Sequence, residues 1–151
     1  MKEIIELLSA SLAPITAIVA LSIAYRQYRL EQLKFRRELY EKRLAIYDST
    51  MKLLSVVLRK GDVNFIELVQ FLQETNQSRF LFGKEIADYL TDIYKKGVDL
   101  EYHQKMLREH SLPEGEERTK HAHESCELSK WFGSQLTLAP EKFSVHLGLD
   151  E

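Results

Sequence analysis

From Leu7 to Tyr25 the chain reads LLSASLAPITAIVALSIAY, nineteen residues without a formal charge, and no other feature narrows the possible folds as much. A helix of about 20 apolar residues crosses a hydrocarbon core of about 30 Å. The run therefore predicts a transmembrane anchor over residues 1–25. Its hydroxyl residues Ser9, Ser11, Thr16 and Ser22 can bond back onto the helix, and Pro14 is tolerated where such groups satisfy the freed carbonyl. Two competing readings are weaker. A cleaved signal peptide could use Ser22-Ile23-Ala24 as its small-residue site, but Glu3 and Glu6 stand where a basic leader belongs. A buried helix of a globular domain seldom runs this far without a charge.

Orientation follows from the basic residues beside the run. Arg26, Arg29, Lys34, Arg36, Arg37, Lys42 and Arg43 follow it, whereas Lys2 alone precedes it. Basic flanks stay on the cytoplasmic side, so the N-terminus is expected outside and the rest of the chain in the cytoplasm. Tyr25 and Tyr28, with Arg26 and Arg29, then sit at the membrane interface, in contact with anionic lipid. Inside the run, Ser9, Ala13 and Ala17 form one row of small residues at four-residue spacing, and Thr16, Ala20 and Ala24 form another. Such rows let helices approach closely in lipid, which raises the expectation of a homo-oligomer.

Residues 26–60 contain neither Gly nor Pro and carry ten basic against four acidic side chains. Helix formers dominate, so this basic juxtamembrane segment is expected to continue the anchor as one helix and to stop at Gly61. Alternating steps of three and four select Leu30, Leu33, Arg37, Tyr40, Leu44, Tyr47, Met51, Leu54 and Leu58, a heptad seam suited to a coiled coil. Phe35, Leu39, Ile46, Leu53, Val56 and Val57 widen the stripe. A stripe this wide also calls for packing against other helices of the same chain.

Residues 61–151 reverse the charge, with seventeen acidic against ten basic side chains. Six Gly and three Pro in 151 residues leave too little turn chemistry for a sandwich or barrel. The expected fold is all-α: the anchor continuous with a long juxtamembrane helix that packs into a small antiparallel bundle. Asp62 or Asn64 caps a second helix ending near 73–76, and Arg79-Phe80-Leu81-Phe82-Gly83 reads as a buried helix junction. A third helix spans Lys84 to about His110, with Gly97 marking a close crossing or a kink. A fourth runs from Glu116 to about Thr137 and is expected to end at Ala139-Pro140, followed by a short closing turn.

Chemistry is sparse. His121, His123, Glu124, Cys126 and Glu127 are the one concentration of metal-ligand types, but no second ligand pair stands at zinc-site spacing, so they read as a solvated histidine-rich turn without a metal. Glu85, Asp88, Asp92 and Glu101 fall at helical surface spacing. The chain has no phosphate-binding glycine loop, no HExxH and no GxSxG, so neither a cofactor nor an enzymatic activity is expected. One cysteine permits no internal disulfide. Nucleic acid is disfavoured as a partner, because the basic residues adjoin the bilayer and the distal domain is acidic.

The Tyr25-Arg26-Gln27-Tyr28 exit, the stretch Leu39-Tyr40-Glu41-Lys42-Arg43-Leu44-Ala45-Ile46-Tyr47 and the Phe80-Leu81-Phe82 corner resemble a loose group of uncharacterised bacterial single-pass membrane-anchored helical proteins. The likeness extends to about Leu100. It implies the bacterial inner membrane and a helical fold, and carries no activity. Three functions are thus in play: an anchored interaction or regulatory module with a cytoplasmic protein partner; a membrane effector of the toxin or phage-defence kind, whose oligomerised spans perturb the bilayer; and a tethered enzyme, which would need a pocket of convergent titratable groups.

Overall fold

The computed structural model describes residues 2–108 and 115–148, with side chains from residue 14 onward. It is all-helical, and its five helices form a bundle: α1 (Lys2–Lys60), α2 (Phe65–Glu74), α3 (Ser78–Phe82), α4 (Lys84–Arg108) and α5 (Glu116–Leu147). No strand occurs among the described residues. The chain divides into two compact units, Met1–Leu39 and Tyr40–Glu151. The division falls inside the basic helical segment 26–60 rather than at either of its ends.

The helix boundaries follow local chemistry. α1 carries Pro14 within it and ends where Gly61 adopts φ +66° and donates its N–H to the Val57 carbonyl at 2.8 Å. This is the left-handed termination expected of a glycine after Arg59 and Lys60. α2 opens with a reciprocal capping box. The Asn64 side chain accepts from the Glu67 N–H at 2.8 Å, and the Glu67 carboxylate accepts from the Asn64 N–H at 3.0 Å. Of the two expected caps Asn64 is the one used, while Asp62 pairs with Arg108 near the end of α4 at 2.9 Å. α3 stops at Gly83, with φ +83°.

The core of the second unit is built from one face of each helix. α1 contributes Ile46, Thr50, Leu53, Leu54 and Val57, a helical spacing that puts all five on one side. Leu68, Ile86, Ile93, Leu100, Phe132 and Phe143 are fully buried against them. Phe143 packs in T-shaped contacts with Tyr47 and Phe82, at centroid separations of 5.4 and 5.1 Å. Gly97 marks a close crossing, since a Cβ there would overlap the Leu68 side chain, and α2 therefore lies against α4 at this point.

Three expectations need correction. α5 does not end at Ala139-Pro140; it runs through Pro140 to Leu147. Proline removes one N–H and disfavours a helix interior. Here Ala139 and Phe143, both fully buried, hold the final turns on the core and outweigh that local preference. The aromatic corner is only partly a buried junction: Phe82 is buried, whereas Phe80 is 90% exposed. A third difference concerns the heptad seam. Leu54 is fully buried in its own chain, and Tyr47 and Met51 pack on the same core, so this part of the stripe is used within the molecule. Tyr40 and Leu44 are half-buried, while Leu30, Leu33 and Leu58 remain exposed.

Candidate functional site

The described part of the uncharged run forms a helix with nothing of its own unit covering it. Ile15, Ile18, Val19, Leu21, Ile23, Tyr25 and Tyr28 are all exposed, Leu21 at 75%. Successive positions lie about 100° apart on a helix, so these side chains cover roughly 220° of its circumference, and Thr16, Ala17, Ala20 and Ala24 occupy the rest. Water-exposed apolar surface on this scale marks an interaction site, protein or lipid. The Ser22 hydroxyl donates to the Val19 carbonyl at 2.9 Å and so spends its polar group within the helix. Thr16, Ala17, Ala20 and Ala24 are exposed on the same helix; Ser9 and Ala13, the other members of the small-residue rows, lie outside the residues whose side chains are described.

Among the described residues no helix is long and apolar enough to cross a membrane. The uncharged stretch with described side chains is 14–25, twelve residues or about 18 Å of helix. The first seven residues of the run, 7–13, lie outside the residues whose side chains are described. Tyr25, Arg26, Tyr28 and Arg29 follow in sequence, all exposed, with Gln32 donating to the Tyr28 hydroxyl at 3.0 Å. Leu30, Leu33 and Phe35 continue the exposed apolar surface between basic residues.

Arg43, counted among the basic residues beside the run, has a different task. Its guanidinium donates to the Leu81 carbonyl at 2.9 Å and to the His146 carbonyl at 3.0 Å, and lies over the Phe82 ring at 5.8 Å. Both carbonyls belong to helix C-terminal turns, of α3 and α5, where a cation meets unpaired acceptors and the negative end of the helix dipole. The planar fork of arginine reaches both at once. The positive charge here joins three helices.

The histidine-rich turn does not come together as a cluster. His121 instead meets His103 from α4, with their Nδ1 atoms 2.8 Å apart and ring centroids 5.0 Å apart. The two nitrogens face each other, so one ring donates a proton and the other accepts it. Tyr102 lies edge-on to both rings. His123, Glu124, Cys126 and Glu127 are exposed, and Glu127 pairs with Lys130 at 2.8 Å. Among the described residues no three His, Cys, Asp or Glu side chains converge on a point where a metal ion could sit. Periodicity could not reveal His103, because its partner lies eighteen residues away on another helix.

One polar pair lies in the core. The Tyr89 hydroxyl donates to the Gln135 side-chain carbonyl at 3.2 Å, and the Gln135 amide is spent on the Trp131 carbonyl and the Ser134 hydroxyl. Burial, with Asp92 nearby, pushes the Tyr89 phenol up to about 12, so it stays a neutral donor. Its partners are all satisfied, which makes it a structural contact and not a reactive one. Glu85, Asp88 and Asp92 are exposed and Glu101 is half-buried. Compared with known proteins, the chain matches no family model, no curated protein and no solved structure.

Proposed function

We propose that the chain is a single-pass membrane protein, anchored by residues 7–25 with its N-terminus outside, whose helical bundle is a cytoplasmic interaction or regulatory module. The observation that carries this reading is the uncovered apolar surface around α1 from Ile15 to Tyr25, followed at once by Arg26 and Arg29. A helix apolar on all sides finds in lipid the cover that its own unit does not supply. The basic flank sets the orientation, and Tyr25 and Tyr28 belong at the headgroup level. The small-residue rows, together with Leu30 and Leu33, supply the surface for a homo-oligomer in the membrane. The bundle contributes packed surface and satisfied polar groups, which suits binding a cytoplasmic protein partner better than catalysis.

Alkaline extraction of membranes from expressing bacteria tests the anchor. The intact chain is expected in the membrane pellet. The double variant Ile18→Arg, Leu21→Arg is expected largely in the supernatant, since each central arginine costs about 2.5–3.5 kcal/mol of insertion. Recovery of the intact chain in the alkaline supernatant overturns the reading. Following membrane potential during the same expression separates a passive anchor, which leaves it intact, from a bilayer-perturbing effector, which collapses it.

A further inference from the structure

The histidine pair between α4 and α5 is a contact to which the reading above gives no task. His103 stands five residues before the end of α4, and His121 five residues after the start of α5. Both are half-buried, and their Nδ1 atoms lie 2.8 Å apart with ring centroids at 5.0 Å, so the rings meet through nitrogen rather than face to face. Tyr102 makes T-shaped contacts with both. Two imidazole nitrogens bound to one cation at about 2.0–2.1 Å, and at a right angle, stand about 2.8–3.0 Å apart. The two helices therefore hold the nitrogens at the spacing of neighbouring metal ligands. What binding still requires is a turn of each ring, so that both lone pairs meet at one point beside the line between the nitrogens.

We propose that His103 and His121 form an open two-histidine site for a divalent transition-metal ion, Cu²⁺ ahead of Ni²⁺ or Zn²⁺, which clips α4 to α5. No third His, Cys, Asp or Glu converges on the pair among the described residues, so water fills the other coordination positions. Imidazole suits these three ions, whereas Mg²⁺ and Ca²⁺ take oxygen; Cu²⁺ and Ni²⁺ also accept right-angled ligands, and Cu²⁺ binds such donors most tightly. Asp99, Glu117 and Glu124 lie within one helical turn of the two histidines, but so does Arg118, so the nitrogen donors and not the net charge attract the ion. In the neutral pair the ring with its proton on Nδ1 loses it to solvent and takes one up on Nε2, so no net proton is released. The turn gives up one hydrogen bond and gains two metal–nitrogen bonds. The site lies within the second unit and does not depend on the anchor.

The test adds CuCl₂ to the full chain, purified in mild detergent without a polyhistidine tag and kept in a weakly coordinating buffer. Pulsed electron paramagnetic resonance counts coordinated imidazole rings through their remote nitrogens, and two rings per copper are expected at one equivalent. His103→Ala and His121→Ala are each expected to weaken binding about a hundredfold, because the second ring no longer acts at high effective concentration. His123→Ala, which alters an exposed histidine of the same helix, is expected to leave the affinity unchanged. His103→Asn separates ligation from packing: its side-chain amide can still hydrogen-bond to His121 but supplies no second imidazole. That variant is expected to keep the circular dichroism of the parent and lose the two-ring signal. Excess ZnCl₂ is expected to raise the urea midpoint of the parent and not of His103→Asn, since an ion bound only by the folded pair stabilises it. A one-ring signal in the parent, equal copper affinity in the parent and His103→Asn, or no binding at about 100 μM copper overturns the site.

Discussion

At the residue scale, Arg43 shows how a charge can serve a role that its position in the sequence conceals. Seven basic residues follow the uncharged run within twenty positions, and nothing in their spacing separates Arg43 from the rest. In the structure it reaches carbonyls at the ends of two other helices, Leu81 on α3 and His146 on α5. Lysine carries the same charge but presents no fork that could serve both acceptors. Arg43→Lys is therefore expected to destabilise the bundle by about 1.5–3 kcal/mol, the usual worth of charge-assisted hydrogen bonds. Urea unfolding followed by circular dichroism in mild detergent measures it, and an unchanged midpoint would show that the fork is dispensable. His103 and His121 repeat the point. Each is one histidine among five in the chain, and only their meeting across α4 and α5 makes them a pair.

At the scale of the element, the controls of α2 are local, and the sequence narrowed its cap to Asp62 or Asn64. Asn64 and Glu67 lie three residues apart, the capping-box spacing, and the structure forms both bonds. Asn64→Ala is expected to cost about 1 kcal/mol. Glu67 adds a pH dependence. Partial burial pushes its carboxyl up, but the Lys60 ammonium, the Asn64 N–H and the nearby Arg59 outweigh that effect and hold it below its ordinary value. A carboxyl lowered in the folded state contributes stability at neutral pH that is lost as the pH falls through its folded value. Glu67→Gln keeps a capping side chain without the charge, so its stability should vary less than that of the parent between neutral pH and the acid side of the carboxylate range. Equal slopes of unfolding free energy against pH in the two proteins would refute this.

The crossing of α2 and α4 depends on Gly97, where any Cβ meets the fully buried Leu68 side chain. Alanine at an ordinary helix site would be favourable by about 1 kcal/mol over glycine. Here the overpacking, of about 1–3 kcal/mol, is expected to win, so Gly97→Ala lowers the melting temperature and Leu68→Val in the same chain recovers part of the loss. α5 illustrates the opposite limit of local rules. Pro140 signals a helix end, and the burial of Ala139 and Phe143 overrides it.

At the scale of the whole molecule, the charge asymmetry makes a prediction that no single residue does. If the basic flank sets the topology, replacing Arg26, Arg29 and Lys34 by Gln removes the charges nearest the run and weakens the orientation bias. Fluorescent-protein and alkaline-phosphatase fusions after Glu151 should then report a mixed population where the parent is uniform. A parent whose C-terminal fusion is active only outside the membrane would reverse the orientation argument.

The sequence by itself determined the helical class and the helix end at Gly61, because hydrophobic period and glycine conformation act over a few neighbouring residues, and it narrowed the cap of α2 to Asp62 or Asn64 and the role of Gly97 to a close crossing or a kink. Only the tertiary structure decided which face of α1 between Tyr40 and Leu58 is spent inside the chain, why α5 passes Pro140, and which charges and histidines meet. Those outcomes depend on which residues far apart in sequence compete for the same buried volume and the same hydrogen-bond partners.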